Sequence, residues 1–137
     1  MNISEVMATN VVTLDAKSTA AEAARMMKER DIGDVVVREA DRVCGIVTDR
    51  DIVVRAVAED KNPQNVTLAD ICSHDLVTLA PTDSVSDAAR VMSERAVRRV
   101  PVVENGKAVG IVSLGDLAIE RDPSSALADI SEAPPND

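Results

Sequence analysis

The chain repeats itself. Laid against itself at an offset of 65 residues without a gap, 16 of the 45 positions from Val12 to Ala56 carry the same residue as their counterpart. Unrelated segments would give about three, and an internal repeat constrains architecture more than any local propensity does. Val12-Thr13-Leu14 matches Val77-Thr78-Leu79, Ala23-Ala24-Arg25 matches Ala88-Ala89-Arg90, and Met27, Glu29 and Arg30 match Met92, Glu94 and Arg95. Further on, Val35 and Val37 match Val100 and Val102, Gly45-Ile46-Val47 matches Gly110-Ile111-Val112, and Asp51 matches Asp116. Whatever one half folds into, the other must fold into as well.

Each copy predicts the same succession of elements. A short helical turn (residues 4–7 and 68–72) leads into a strand (11–14 and 76–79) and then a helix (19–30 and 84–95). Ala20, Ala23, Ala24 and Met27, matched by Val85, Ala88, Ala89 and Met92, have the i, i+3, i+4, i+7 spacing of a core-facing stripe. Glu22, Arg25 and Glu29, or Asp87, Arg90 and Glu94, form the solvated face with weak ion pairing. Ser18 and Asp83 are the expected N-caps. A hairpin follows: 34–38 and 43–48 around Glu39-Ala40-Asp41, and 99–103 and 108–113 around Asn105-Gly106, the pair that best tolerates positive φ. Pro101 has no N–H, so its strand must leave that position unpaired. A closing helix completes each copy at 49–58 and 114–121.

The expected fold class is therefore α/β (α+β), with two β-α-β-β-α repeats related by a pseudo-twofold axis. One repeat of ~55 residues is marginal alone, and its valine-rich strands need cover on both faces. The two are expected to share one core. The expected division is repeat 1 at 1–60, a linker at 61–66 broken by Asn62-Pro63, repeat 2 at 67–121, and an acidic, mobile C-terminal tail at 122–137 with a docking turn around 126–130. The closing helices carry Ile52, Val53 and Ala56, and Leu117 and Ala118, as apolar surface that one chain cannot cover, which predicts a homodimer.

Composition removes several function classes. Of the 137 residues none is Phe, Tyr or Trp, so a planar ligand must lie among aliphatic side chains and backbone. Single-strand nucleic-acid platforms depend on aromatic rings. With 15 Lys and Arg against 24 Asp and Glu the net charge is −9, a poor match to phosphate backbones. No apolar run approaches the ~20 residues needed to span a bilayer, and residues 1–15 have neither a basic start nor an apolar stretch. The expected compartment is the cytoplasm. Cys44, Cys72 and the single His74 are too few for a four-ligand zinc site, and the cysteines are expected to be reduced and structural. Phosphate-loop and nucleophile–histidine motifs are absent, so an enzyme is not expected.

Two segments are the most specific. Gly45-Ile46-Val47-Thr48-Asp49-Arg50-Asp51 and Gly110-Ile111-Val112-Ser113-Leu114-Gly115-Asp116 fit the Gly-h-h-Thr/Ser-x-x-Asp signature of CBS domains, where h is apolar, and Val97 to Val103 resembles the family's second-strand pattern. The chain from about residue 3 to 121 thus resembles a tandem CBS pair, or Bateman module. It is similar to small free-standing bacterial CBS-pair proteins, including hypoxia-response types.

That resemblance implies a regulatory module that takes adenine nucleotides (AMP, ADP or ATP) in a cleft between the repeats and signals to an unidentified protein partner by a conformational change. NAD or S-adenosylmethionine is a more remote ligand, and no cofactor is required. In the second repeat it implies Asp116 on the ribose hydroxyls, Ser113 and Thr78 beside sugar and phosphate, Arg98 and Arg99 facing phosphate, and Val97, Val100 and Ile111 around the base. In the first repeat Asp51, Thr48, Arg50 and Thr13 take these places. A carboxylate suits a cis-diol, a guanidinium suits phosphate, and a helix N-terminus favours an anion. Arg98 and Arg99 align with Gly33 and Asp34, and an acid at Asp34 disfavours phosphate, so the first site is expected to be weaker. The same Thr48-x-x-Asp51 and Ser113-x-x-Asp116 spacing is also a capping box that does no more than start a helix, and a CBS-fold interaction dimer without ligand is the other reading.

Overall fold

The computed structural model describes residues 1–73 and 76–121. His74 and the tail 122–137, including its expected turn, lie outside the described residues. The described chain packs into two compact units, and these units cut across the sequence order of the repeats: one contains Val12–Leu76, the other Met1–Val11 together with the chain from Val77 on.

In the first unit, β1 (Thr13–Asp15) is followed by α1 (Ala20–Arg30), the hairpin β2 (Asp34–Glu39) and β3 (Arg42–Thr48), α2 (Asp49–Ile52) and the single-turn helix α3 (Leu68–Ile71). The strands form one sheet in the order β1-β2-β3, with β1 parallel to β2 and β2 antiparallel to β3. A wide π-helical turn, Val53–Val57, continues α2 where a plain helix to residue 58 was expected. The second unit starts with a 3-10 turn at Ile3–Glu5, then α4 (Val85–Arg95), the hairpin β4 (Arg99–Glu104) and β5 (Lys107–Ser113), and α5 (Leu114–Arg121).

Residues 76–79 do not form the expected strand: Leu79 makes only an isolated parallel bridge to Val102. Pro101 is the reason. In the first unit the N–H of Val36 donates to the carbonyl of Val12 at 3.0 Å. Pro101 stands at the Val36 position and has no N–H to give, so the ladder stops one bond short.

The leading segments are exchanged. The N–H of Ile3 donates to Asp83 O, and the N–H of Leu68 donates to Ser18 O; Met1 O accepts from Val85, and Val66 O accepts from Ala20. Each pair of bonds is the other shifted by 65 residues. Thus 1–8 fills the slot beside the second repeat's helix, and 66–73 fills the slot beside the first. The apolar residues accordingly gather in two clusters, one inside each unit. Val35, Val37 and Val47 lie against Ala20, Ala23, Met27, Leu68 and Ile71. Val100, Val102 and Val112 lie against Ile3, Val85, Ala88 and Met92. The division arises because each amphipathic helix closes on the valines of its own hairpin.

Local details also differ from expectation. The N-caps are Thr19 and Ser84, one residue beyond Ser18 and Asp83, because Glu22 and Asp87 then fall at the third helical position. Ser84 completes the reciprocal box: Asp87 N–H donates to Ser84 Oγ at 3.0 Å and Ser84 N–H to Asp87 Oδ2 at 3.2 Å. Ala24 is exposed, while Ala89 packs on the core. The first hairpin turns on two residues, Ala40-Asp41, with Ala40 at φ 54°. The second turns on Asn105 and Gly106 at φ 55° and 81°, as a type I′ turn requires. Each hairpin carries a bulge at Cys44 or Val109, the residue left without a partner.

Candidate functional site

The signature glycines hold each leading segment close. A Cβ on Gly45 would stand 2.8 Å from Ser73 O and 2.9 Å from Cys72 Sγ; one on Gly110 would fall on Met7 Sδ and lie 3.0 Å from Ala8 O. At Gly45 the obstacle is backbone and only a bare Cα admits the approach, whereas at Gly110 it is chiefly the flexible Met7 side chain; Ile46–Ser73 and Ala8–Ile111 bridges join the segments. The glycine of the signature is thereby explained by packing.

Beyond the glycine, each signature strand runs straight into a helix. Thr48 caps α2: its Oγ1 accepts from Asp51 N–H at 3.1 Å, and its own N–H donates to Asp51 Oδ2 at 2.9 Å. Ser113 and Asp116 repeat this, with 3.1 Å to Ser113 Oγ and 2.9 Å to Asp116 Oδ2. Both carboxylates are part-buried and each is bound through Oδ2. The capping arrangement therefore exists in both repeats, and it leaves Oδ1 of each carboxylate outside the box.

The strand register gathers most of the remaining candidates of the second repeat. Arg99 is opposite Ser113, and Pro101 is opposite Ile111. Side chains alternate across a strand, so Arg99, Ile111 and Ser113 share one face, with Thr78 at the position that aligns with Thr13, the partner of Val36. The carbonyl of Arg98 accepts from Leu114 N–H at 2.8 Å, which places Arg98 against the first turn of α5. Arg98, Arg99 and Thr78 are exposed, and Ile111, Ser113 and Asp116 are half-buried. Val100 lies on the opposite strand face, fully buried among core valines, and Val97 packs on the same core.

The first repeat differs in charge. Asp34 is opposite Thr48, where the second repeat has Arg99 opposite Ser113. Gly33 O accepts from Asp49 N–H at 3.0 Å. Thr13 is half-buried, and Arg50 is exposed. One residue that the sequence reading passed over shapes this site. Arg55 Nε lies 3.8 Å from Asp51 Oδ1, and Arg55 Nη1 donates to Ile71 O at 3.0 Å. It holds the free oxygen of Asp51 and the end of α3 together. The i+4 spacing from Asp51 was the signal for it; the aligned residue in the second repeat is Glu120.

Burial raises the thiol pKa of both cysteines above the ordinary value, with nearby Glu39 adding to the effect at Cys44. Among the described residues no three His, Cys, Asp or Glu side chains are grouped as a metal ion would need, and no helix is long and apolar enough to cross a membrane.

The chain is similar to known proteins. "Uncharacterized protein MK0525" of Methanopyrus kandleri is 39% identical over 119 residues, which span 85% of this chain and 61% of that protein. The CBS domain-containing protein YhcV of Bacillus subtilis is 36% identical over 134 residues, covering 95% of both. Among solved structures, Hypoxic Response Protein I with two coordinated zinc ions superposes with a TM-score of 0.79 at 32% identity, over 88% of this chain and 98% of that one. The hexameric CBS-CP12 protein from bloom-forming cyanobacteria superposes at 0.78 with 29% identity, over 95% and 79%. The family model of the CBS domain matches twice, at residues 3–57 and 68–121, and the chain belongs to the CBS domain family.

Proposed function

We propose that this protein is a non-catalytic regulatory module of the cytoplasm that binds an adenine nucleotide, with the second repeat as its principal site. The observation that carries this reading is the half-used carboxylate of Asp116. Its Oδ2 closes the capping box at 2.9 Å, leaving Oδ1 to accept from a ribose diol at the N-terminus of α5. Arg99, in register with Ser113, and Arg98, beside the first turn of α5, supply guanidinium forks for phosphate. Ile111 lines the same strand face, Thr78 directly precedes the Leu79–Val102 bridge, and aliphatic packing replaces the ring stacking that this chain lacks. The first-repeat set of Thr48, Asp51, Arg50 and Thr13 is weaker, because Asp34 replaces Arg99 and Arg55 lies against Asp51.

Titration calorimetry with AMP, ADP, ATP, NAD and S-adenosylmethionine tests the reading. Saturable heat with an adenine nucleotide, lost in Asp116→Asn, supports it. No heat with any of the five leaves the other reading, a CBS-fold interaction module without ligand. That reading has its own support, since both signature carboxylates already serve as caps.

Self-association is part of the proposal. Ile52, Ala56 and Leu117 are buried within their own units, and among the described residues the exposed large apolar side chains are Met1, Val53, Val54, Val57 and Leu114. The π-helical turn brings the three valines to the surface, and a second copy of this chain is the partner we assign to them; the CBS-CP12 relative is itself hexameric.

A further inference from the structure

The chain has two cysteines, and the fold brings both to one place in the first unit. Cys44 stands in β3, and Cys72 follows α3 at the end of the leading segment that plugs this unit. Cys72 is buried in the apolar cluster of the unit, and the half-buried Cys44 packs against the same cluster. The bulge explains how. Side chains alternate along a strand, so Cys44 should point away from the face that Gly45 and Val47 share. The extra residue breaks that alternation and gives Cys44 a place against the core. Cys72 reaches the neighbouring spot from the plug: its Sγ lies 2.9 Å, and its Cβ 3.3 Å, from where a Cβ on Gly45 would stand. Gly45 is the next residue after Cys44, one Cα step of ~3.8 Å away. Burial does most to raise the Cys72 thiol pKa, and Cys44 adds to it, a measure of how near the two thiols lie.

The second unit fills the same two places differently. At the 65-residue offset Cys44 becomes Val109, and Cys72 becomes Met7. Both pack on the second cluster, with Met7 over Gly110 as Cys72 is over Gly45. An apolar pair is thus enough for packing. In the first unit both places carry thiols, and what thiols add to packing is covalent exchange.

We propose that Cys44 and Cys72 are a redox modification site, forming a reversible disulfide with a peroxide as oxidant and so stapling the plug to β3. Cys44, the more exposed, reacts first. Its sulfur bonds to one peroxide oxygen, the O–O bond breaks, and the leaving hydroxide takes the thiol proton and departs as water; Cys44 is then a sulfenic acid. The sulfur of Cys72 attacks that of Cys44, the S–O bond breaks, and the hydroxide leaves with the Cys72 proton as a second water. Two thiols have given two electrons to one peroxide, and a dithiol reverses the bridge by exchange. The raised thiol pKa values make the first step slow, so the site answers to sustained peroxide and not to a brief pulse. None of this rests on the ligand reading above.

The test uses the folded full-length protein, incubated with hydrogen peroxide, alkylated and mapped by mass spectrometry. A peptide joining Cys44 to Cys72 should accumulate and disappear with dithiothreitol. The bridged protein should unfold in urea with a constant at least about tenfold smaller than the reduced protein, as a loop closed in its native geometry does. Cys72→Ala should stop at oxidised Cys44, with no gain in stability. Sulfinic acid on Cys44 beside an intact Cys72 thiol in the wild type overturns the proposal, as do two chains joined through Cys44 or no oxidation at all. A bridge that lowers the urea midpoint overturns it too, because the pair must then be pulled out of place to react.

Discussion

The N–H of Ser113 donates to Asp116 Oδ2 at 2.9 Å, and the N–H of Asp116 donates back to Ser113 Oγ at 3.1 Å. The reciprocal pair starts α5 and at the same time fixes the orientation of the carboxylate. Asparagine keeps an oxygen for the Ser113 N–H, so Asp116→Asn should preserve the helix start while removing the negative charge. Nucleotide binding should weaken by ~1.5–3 kcal/mol, the range for hydrogen bonds to a charged group. Arg99→Ala should weaken phosphorylated ligands and spare adenosine. Asp51→Asn should matter less, and Asp34→Arg should strengthen the first site. Equal losses from Asp51→Asn and Asp116→Asn, measured by calorimetry, would overturn this ranking.

The two signature glycines should not be equally replaceable. A methyl group on Gly45 meets the backbone carbonyl of Ser73, which is held by the bond from its own N–H to Ile46 O at 3.3 Å. On Gly110 it meets chiefly the Met7 side chain, which can rotate away. Gly45→Ala should cost ~1–3 kcal/mol as an overpacked contact, and Gly110→Ala less. Urea midpoints of the two variants decide it; a larger loss at Gly110 would show that the Ala8 carbonyl, not Met7, sets the limit.

The thiols should stay protonated and slow to react at neutral pH. Burial raises both above the ordinary 9.0, so the folded state holds these protons more tightly than the unfolded chain. Their contribution is fully present below pH 9 and is lost as pH rises through the folded values. Stability should therefore fall on the alkaline side, and less so in Cys44→Ala with Cys72→Ala. Thiol titration should find Cys44 slow and Cys72 slower still, in keeping with its deeper burial. Rapid modification of Cys72 in the folded protein would contradict this.

A second copy should cover the valines of the π-helical turn. Val53, Val54 and Val57 are 56%, 43% and 55% exposed, more apolar surface together than scattered single exposures explain. Light scattering should give a mass above the 14.5 kDa of one chain, and Val54→Glu with Val57→Glu should lower it. A wild-type mass of one chain across micromolar concentrations would defeat the prediction.

Periodicity and repeat spacing alone determined the order of the elements and most of the faces that turn inward, but not the lost strand at 76–79 or the exposure of Ala24. An amphipathic stripe such as Ala20, Ala23, Met27 or a turn such as Asn105-Gly106 is decided by bonds within a few residues. The capping pairs Thr48–Asp51 and Ser113–Asp116 were legible for the same reason. In Ser18-Thr19 and Asp83-Ser84, however, two adjacent residues could cap, and the helix starts settled on the second of each pair. Tertiary structure also decided which plug fills which slot. Residues 3–7 and 68–72 carry one pattern, and no local rule assigns either to a unit; the closure of each slot around Ile3 or Leu68 does. It decided as well that Arg99 stands opposite Ser113 while Val100 turns into the core. A one-residue change of register would reverse every side chain on the strand, and burial of Val100, Val102 and Val112 against α4 is what forbids it.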